Sequence, residues 1–344
     1  MRRTGGVVRT VEFTVGGRLS IRISAADVGK RVSVRSLTAP GDPAGSFTDT
    51  VGVLTSWTDG VLSITRRGGQ SVRVAESSLV AGKVVPATPA RRRGPAAGVR
   101  ELTEVAARGW PAAETAPLGG WTLRAAGGFT SRANSVLPLG DPGVPLDEAL
   151  ARAGRWYGER GLPVLVQVTT GGGDSDELLA AELERRGWTA ERFAVLRTAA
   201  LAPLADRAPD ARVRLARRPD EAWLGAYRRA SSAGSARDAL KVLSGGPSVW
   251  FAAVPGGDGT PDAVGRCVVD GRWAGFAAVE VAPARRRAGL ATAVMAELAR
   301  AALAEGASAA YLQVEPDNTA ATALYDRLGF TDHHGYHYRR APRG

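Results

Sequence analysis

The strongest constraint on this chain is a pattern that occurs twice. A helix-like run closes at Gly161 and another at Gly306; the apolar runs "VLVQV" and "YLQVE" follow, carrying Gln167 and Gln313; then "LERRGW" and "LYDRLGF" carry Gly187 and Gly329. The paired positions lie 145, 146 and 142 residues apart. A near-constant offset through three features indicates an internal duplication. The region from Val99 onward is therefore expected to hold two like units of alternating helix and strand, about 99–204 and 205–344. With 344 residues, of which 44% are apolar, the chain can build more than one core.

The preceding residues follow a different rule. "RVSVRSL", "DTVGVLTSW", "VLSITRR" and "SVRVA" are β-branched-rich or alternating, with Asp59-Gly60 and Gly68-Gly69 placed between them as hairpin turns. This predicts a small all-β unit over 1–85, closed as a barrel to remove its edges. Its strand order resembles an SH3-like barrel. Residues 86–98, "PATPARRRGPAAG", read as a Pro/Ala/Arg linker without periodicity.

In the second region "PLDEALARAGRWYGERG" is amphipathic and stops at Gly161, and "LPVLVQV", "DELLAAELERRGW" and "RFAVLRTAAL" continue as strand, helix and strand. After Arg212 come helical runs, then "SVWFAAV", "AVGRCVV" and "RWAGFAAVEV" as strands, the last two joined at Asp270-Gly271. The fold class expected is α/β (α+β).

Several function classes are set aside by composition. No run of 18 apolar residues is present, so no membrane-spanning helix is expected, and "MRRTGGVVRTVEF" lacks the apolar core of a secretory signal. Cys267 is the single cysteine; a disulfide framework is impossible and a cytoplasmic setting is expected. The net charge of +11 invites a nucleic-acid reading. Lysine, however, occurs only at Lys30, Lys83 and Lys241, and the arginine excess accompanies a chain crowded with Ala and Gly. That skew also fits a coding bias. A nucleic-acid partner using the barrel and linker stays as an alternative, although few barrel aromatics, Trp57 and Phe47 among them, are available for base stacking.

The segment with most chemistry in it is "VAPARRRAGLATAV", Val281–Val294. A strand ends at Val281, Pro283 breaks the ladder, and a helix begins near Gly289 with Leu290, Val294 and Leu298 on one face. A helix start offers unpaired N–H groups and the positive end of the macrodipole. Gly289 and the small Ala291 allow close approach, and arginines beside such a nest suit a pyrophosphate. No Gly-Lys-Ser/Thr follows, and the spacing is not Gly-x-Gly-x-x-Gly. The first unit carries "GDPGVP" at the matching place, with nothing like the arginine–glycine loop.

Arg286-Arg287-Ala288-Gly289-Leu290-Ala291 resembles the Gln/Arg-x-x-Gly-x-Gly/Ala signature of the GNAT superfamily of N-acetyltransferases. Asn318, Ala321, Leu324, Tyr325, Gly329 and Phe330 match a second family element in the family's order, and the resemblance covers about Arg212 to Arg340. The whole layout is similar to bacterial two-copy acetyltransferases with an SH3-like domain in front. The resemblance implies a GNAT fold in a degenerate first copy and a catalytic second one, with acetyl-CoA as acyl donor and no metal. It implies that backbone amides of Arg287, Ala288, Gly289, Leu290, Ala291 and Thr292 hold the CoA pyrophosphate, with Arg286 adding charge. Val279 and Val281 would line the pantetheine arm, and Asn318 and Ala321 would border the cofactor.

Acetyl transfer to a primary amine needs a deprotonated amine, a stabilised oxyanion and a proton for the leaving thiolate. The resemblance makes Tyr325 the acid at the CoA sulfur; packing of the helix on the sheet is its bland role. Asn318 is an equally good helix N-cap. Glu280, an acid in an apolar strand expected to be covered on both faces, is a candidate base, with Glu315 as rival. A backbone N–H near Val281 would serve the oxyanion if the strand is bulged. His333, His334 and His337 lack zinc-site spacing and are expected in a terminal hairpin. Arg132, Asn134 and Ser135 could face an acceptor groove or form a simple turn. A non-catalytic acyl-CoA sensor remains the other alternative. The partners expected are acetyl-CoA and an amine of unstated identity.

Overall fold

The computed structural model describes residues 21–38, 47–85, 95–227 and 236–342. The first twenty residues, and Pro86–Gly94 of the expected linker with Arg91, Arg92 and Arg93, lie outside the described residues.

Five antiparallel strands come first: β1 (Arg31–Leu37), β2 (Phe47–Thr58), β3 (Val61–Thr65), β4 (Ser71–Ala75) and β5 (Leu79–Val84). They lie in the order β4-β3-β2-β1-β5. Val32, Val34, Leu54, Leu62 and Ile64 are fully buried because alternation puts them on one face. Asp59 and Gly60 take φ of 52° and 71°, the left-handed pair that a tight hairpin between β2 and β3 requires. β5, which pairs with β1, has no turn signal ahead of it and is not among the strands expected from the sequence.

The next elements are α1 (Val99–Gly109), β6 (Glu114–Leu118), β7 (Trp121–Ala125), β8 (Leu137–Pro138), α2 (Leu146–Gly158), β9 (Leu165–Thr170), α3 (Glu177–Arg185) and β10 (Thr189–Ala200). After α4 (Ala202–Ala205), β11 (Arg214–Ala216), α5 (Glu221–Ala226) and α6 (Ala236–Ser244) come β12 (Ser248–Val254), β13 (Ala263–Asp270) and β14 (Trp273–Val281). The chain closes with α7 (Leu290–Ala304), β15 (Ala309–Val314), α8 (Thr319–Arg327) and β16 (Thr331–Arg340). Helix, strand, helix, strand thus recurs over α2–β10 and α7–β16.

Two compact units form: residues 1–91 with 169–186, and residues 92–168 with 187–344. Residues 169–186, α3 among them, thus group with the N-terminal strands, where Thr170 Oγ1 donates to the Arg67 carbonyl at 2.8 Å. The second unit holds the sheet β11-β12-β13-β14-β15-β10-β16-β9, with β9 counted up to Val168. Here β10 lies between β15 and β16, so the closing strand of the first helix–strand segment pairs with the second segment's β15 (Val195↔Val314 to Ala200↔Ala309). β16 in turn lies between β10 and β9.

This placement corrects the expected terminal hairpin at His333–His337: β16 is one ten-residue strand inside the sheet. His337 is fully buried and stacked on Phe193 at 4.8 Å. Burial, with Arg339 beside it, lowers its pKa to about 3, so it is a neutral packing group.

The buried apolar face of α7 (Leu290, Val294, Met295, Leu298, Ala299, Ala302) lies against Ala252, Ala263, Cys267, Ala274 and Phe276 of the sheet.

Candidate active site

One cleft of about 1360 Å³ in the second unit gathers the residues singled out in the sequence. Tyr325, Glu280, Glu315, Val279, Val281, Arg286, Arg287, Gly289, Leu290, Ala291, Thr292, Asn318 and Ala321 all border it. Ala288 does not: it is exposed and lies outside the lining.

The cleft exists because two parallel strands part company. β14 and β15 pair only from Trp273↔Ala309 to Phe276↔Leu312. Beyond Phe276, β14 keeps its ladder with β13 but slips register, with Val264 opposite Glu280 and Arg266 opposite Ala277. Ala278, at φ 53°, sits inside that bulge. Residues Ala277 to Val281 are accordingly half-buried. The expectation that Glu280 lies covered on both faces is thereby corrected: the divergence opens one side to the cleft, and the carboxylate is half-buried there. Glu315, at the end of β15, is exposed on the same cleft.

The head of α7 forms one end. Pro283–Arg285 make a single 3-10 turn, Arg287 takes φ 62° and Gly289 takes φ 77° as the N-cap. A non-glycine residue in the left-handed region is strained, and Gly289 adopts it freely. A Cβ built on Gly289 meets nothing within 4 Å, so the space above the helix start is open. The first intrahelical bond runs from Ala293 N–H to the Gly289 carbonyl (3.0 Å), and the N–H groups before it have no helical partner. No acidic residue occupies the first turn. Arg285 is tied to Asp262 at 2.9 Å, whereas Arg286 and Arg287 are exposed and pair with no described carboxylate. Open N–H groups, unpaired guanidinium groups and a positive helix end fit a pyrophosphate.

α8 forms the adjacent wall. Asn318 caps it, its side chain accepting from Ala321 N–H at 3.1 Å. The helix has no fully buried residue; Ala321, Leu324 and Tyr325 rest on the core from one side and border the cleft from the other. A helix with its apolar face half-uncovered has room for an apolar ligand arm. The Tyr325 ring meets Phe330 edge-on at 5.9 Å. Burial raises the Tyr325 phenol above its ordinary range, with Arg197 opposing, so the hydroxyl keeps its proton at neutral pH.

The rest of the lining was mostly invisible in the sequence. It is built by Gly128–Arg132, Arg192, Gln313, Tyr336 and Tyr338. Arg132 does line the cleft. Asn134 does not: it accepts from Ala126 and Gly128 N–H (2.8 and 3.0 Å) and donates to the Phe129 and Thr130 carbonyls, holding the loop's shape. Ser135 is buried against Arg124. Cys267 lies buried in β13, and burial pushes its thiol up to about 12, the opposite of what a nucleophile needs. No group of His, Cys, Asp and Glu among the described residues could hold a metal ion, and no described helix is long and apolar enough to cross a membrane.

Solved structures share this fold. A "GCN5-related N-acetyltransferase from Kribbella flavida" superposes with a TM-score of 0.52 at 19% identity, covering 72% of this chain and 98% of that one. A tandem GNAT protein from the clavulanic acid biosynthesis pathway gives a TM-score of 0.50 at 16% identity over 73% of this chain and 91% of that one. At those identities the likeness is one of fold.

The class is that of the GNAT-type N-acetyltransferases, enzymes that use acetyl-CoA as cosubstrate. Within it, residues 96–339 match the family described as "Probable histone acetyltransferase Rv0428c C-terminal", and the chain belongs to that family. The "Probable histone acetyltransferase Rv0428c" of Mycobacterium tuberculosis is 29% identical over 92% of this chain and 96% of its own length. The "Uncharacterized N-acetyltransferase YobR" of Bacillus subtilis is 27% identical over 70% of this chain and 98% of its own.

Proposed function

We propose that the chain binds acetyl-CoA in this cleft and acetylates a primary amine by direct attack in a ternary complex. The observation that carries the reading is the continuity of the cleft from the open start of α7, along the diverging edge of β14, to Tyr325.

Acetyl-CoA would supply the acyl carbonyl as a thioester. Backbone N–H groups from Arg287 to Thr292 hold the pyrophosphate, with Arg286 adding charge. Val279 and Val281 line the pantetheine arm beside Ala321. A β14 backbone N–H between the bulge and Val281 donates to the carbonyl oxygen as charge develops on it. Glu280 or Glu315, directly or through water, takes the proton of the amine as the C–N bond forms. Tyr325 Oη–H protonates the sulfur as the C–S bond breaks and its electron pair leaves with the thiolate. Cys267 takes no part.

The first helix–strand segment lacks the cradle, so we read it as a degenerate copy and assign one active site to each chain. The five-stranded N-terminal sheet is read as SH3-like. The name of the mycobacterial relative makes a protein lysine one candidate acceptor.

Thermal unfolding of the full chain with and without acetyl-CoA tests the reading, followed by thiol release over an amine panel. A stabilisation that saturates with acetyl-CoA, and thiol release only when an amine is present, are expected. Absence of any stabilisation would discard it. Binding without turnover would instead indicate a sensor.

A further inference from the structure

The part of the cleft lining outside β14, α7 and α8 carries charge that acetyl transfer alone does not call for. Arg132 is half-buried and held from two sides: Nη1 donates to Gln313 Oε1 at 2.7 Å, and the guanidinium lies 4.3 Å over the Trp110 ring. No carboxylate among the described residues pairs with it. Gln313 directly follows Leu312, the last residue of β15 to pair with β14, so Arg132 is anchored where the two strands begin to diverge.

Arg192 reaches the cleft by a different device. Opposite β16 the register of β10 slips between Glu191 and Ala194, and Arg192 takes φ 54° inside the slip. That conformation is costly for a non-glycine residue and persists where its surroundings impose it. Its Nη1 donates to Ser131 Oγ, and its Nε lies 3.2 Å from Glu191. The Glu191 carboxylate is already held by both nitrogens of the Arg340 fork, at 2.6 and 2.9 Å. One carboxylate is thus shared by two guanidinium groups, and a net positive charge is left at Arg192.

A positioned, uncompensated guanidinium pair is suited to a carboxylate or phosphate. A polycationic peptide would have to bring its own charges into a cleft that Arg132, Arg192, Arg286 and Arg287 all line. We propose that the acceptor is a small amine that also bears an anionic group, a carboxylate or a phosphate, bound by Arg132 and Arg192 while its amine faces Glu280 and Glu315. This rests on the acetyl-transfer reading above and narrows its substrate class.

The test compares matched pairs on the full chain with acetyl-CoA: alanine and alaninamide, phenylalanine and phenylalaninamide, phosphoethanolamine and ethanolamine. Spermidine and a lysine-rich histone-tail peptide complete the panel. In the carboxylate pairs or in the phosphate pair, the anionic member should have kcat/KM at least about tenfold above its neutral partner, and the responding pair identifies the anion. Arg132→Gln and Arg192→Gln should each pull that ratio toward one, chiefly through KM, and Arg132→Lys should retain more of it than Arg132→Gln. Stabilisation by acetyl-CoA should persist in all three, which separates loss of acceptor binding from loss of fold. Equal rates within every pair, or preference for spermidine or the tail peptide, would overturn the proposal. So would turnover of no member while acetyl-CoA still stabilises the protein, an outcome that leaves the cofactor reading standing. Loss of that stabilisation in the unmodified chain would remove the reading beneath it.

Discussion

The chain starts a long helix after a strand at Leu146 and again at Leu290, with opposite chemistry at the two places. α2 has Pro145 as its N-cap and Asp147 and Glu148 in its first turn, so its own side chains answer the positive helix end. The loop before it is packed shut: Gly120 N–H donates to the Asp141 carbonyl at 2.6 Å, and a Cβ on Gly119 would lie 2.3 Å from Pro142. α7 has no acid in its first turn, an open left-handed glycine as N-cap, and two arginines with no carboxylate partner among the described residues. The difference teaches that a helix start is left open to an anion only when nothing of the protein's own satisfies or covers it.

The largest way to break this contrast is Gly289→Trp. A bulky side chain in the left-handed position both strains the N-cap and fills the space the N–H groups face. Acetyl-CoA affinity should fall by more than about 100-fold, or about 2.7 kcal/mol, read by calorimetry or thermal shift. Asp147→Asn at the head of α2, which removes a competing negative charge, should leave that affinity where it was; a gain there would mean the first helix start also binds the cofactor.

Tyr325→Phe removes the proposed proton donor and keeps the ring against Phe330. We expect kcat to drop about 100-fold, the low end for general acid catalysis, with the KM for acetyl-CoA little changed. An unaltered kcat would reduce Tyr325 to a packing residue.

A second pair of helices, α3 after β9 and α8 after β15, sharpens the comparison through stability. α8 begins at the exposed Asn318 cap, whereas α3 begins at Glu177, 3% exposed, whose carboxylate accepts from Gly171 N–H at 2.7 Å. Burial raises the Glu177 pKa from 4.5 to about 7. A raised folded-state value means that stability is complete below pH 4.5 and is lost as pH climbs through about 7. Glu177→Gln, neutral throughout, should match the parent at pH 4.5 and exceed it at pH 8 by roughly 3 kcal/mol in denaturant unfolding. Superimposable pH profiles would show that this carboxyl is not buried.

Asn318→Ala should have the smallest effect. Losing the bond to Ala321 N–H costs about 1 kcal/mol of stability. A change in acetyl-CoA affinity larger than that would reveal a direct contact beyond capping.

Much of the architecture was legible because it is local. β1 and β4 carry their alternation in five to seven consecutive residues, and Gly161 and Gly306 mark where helices stop. The candidate cofactor site was legible for the same reason, since Arg286 to Thr292 form one contiguous run. β5, β6 and β7 were not legible: strands of five or six residues with charged or small members give no clear period.

By itself, the sequence determined which strongly periodic runs become helices and strands, where one helix start is left bare, and that two segments share a pattern. Periodicity, caps and turn residues act over a few neighbours, so they can be read in line. Only the tertiary structure decided that β10 enters beside β15, that residues 169–186 group with the N-terminal strands, and that Arg132 meets Gln313 across 181 positions of chain. Those outcomes depend on which buried faces and unpaired strand edges find each other in space, and no local propensity carries that information.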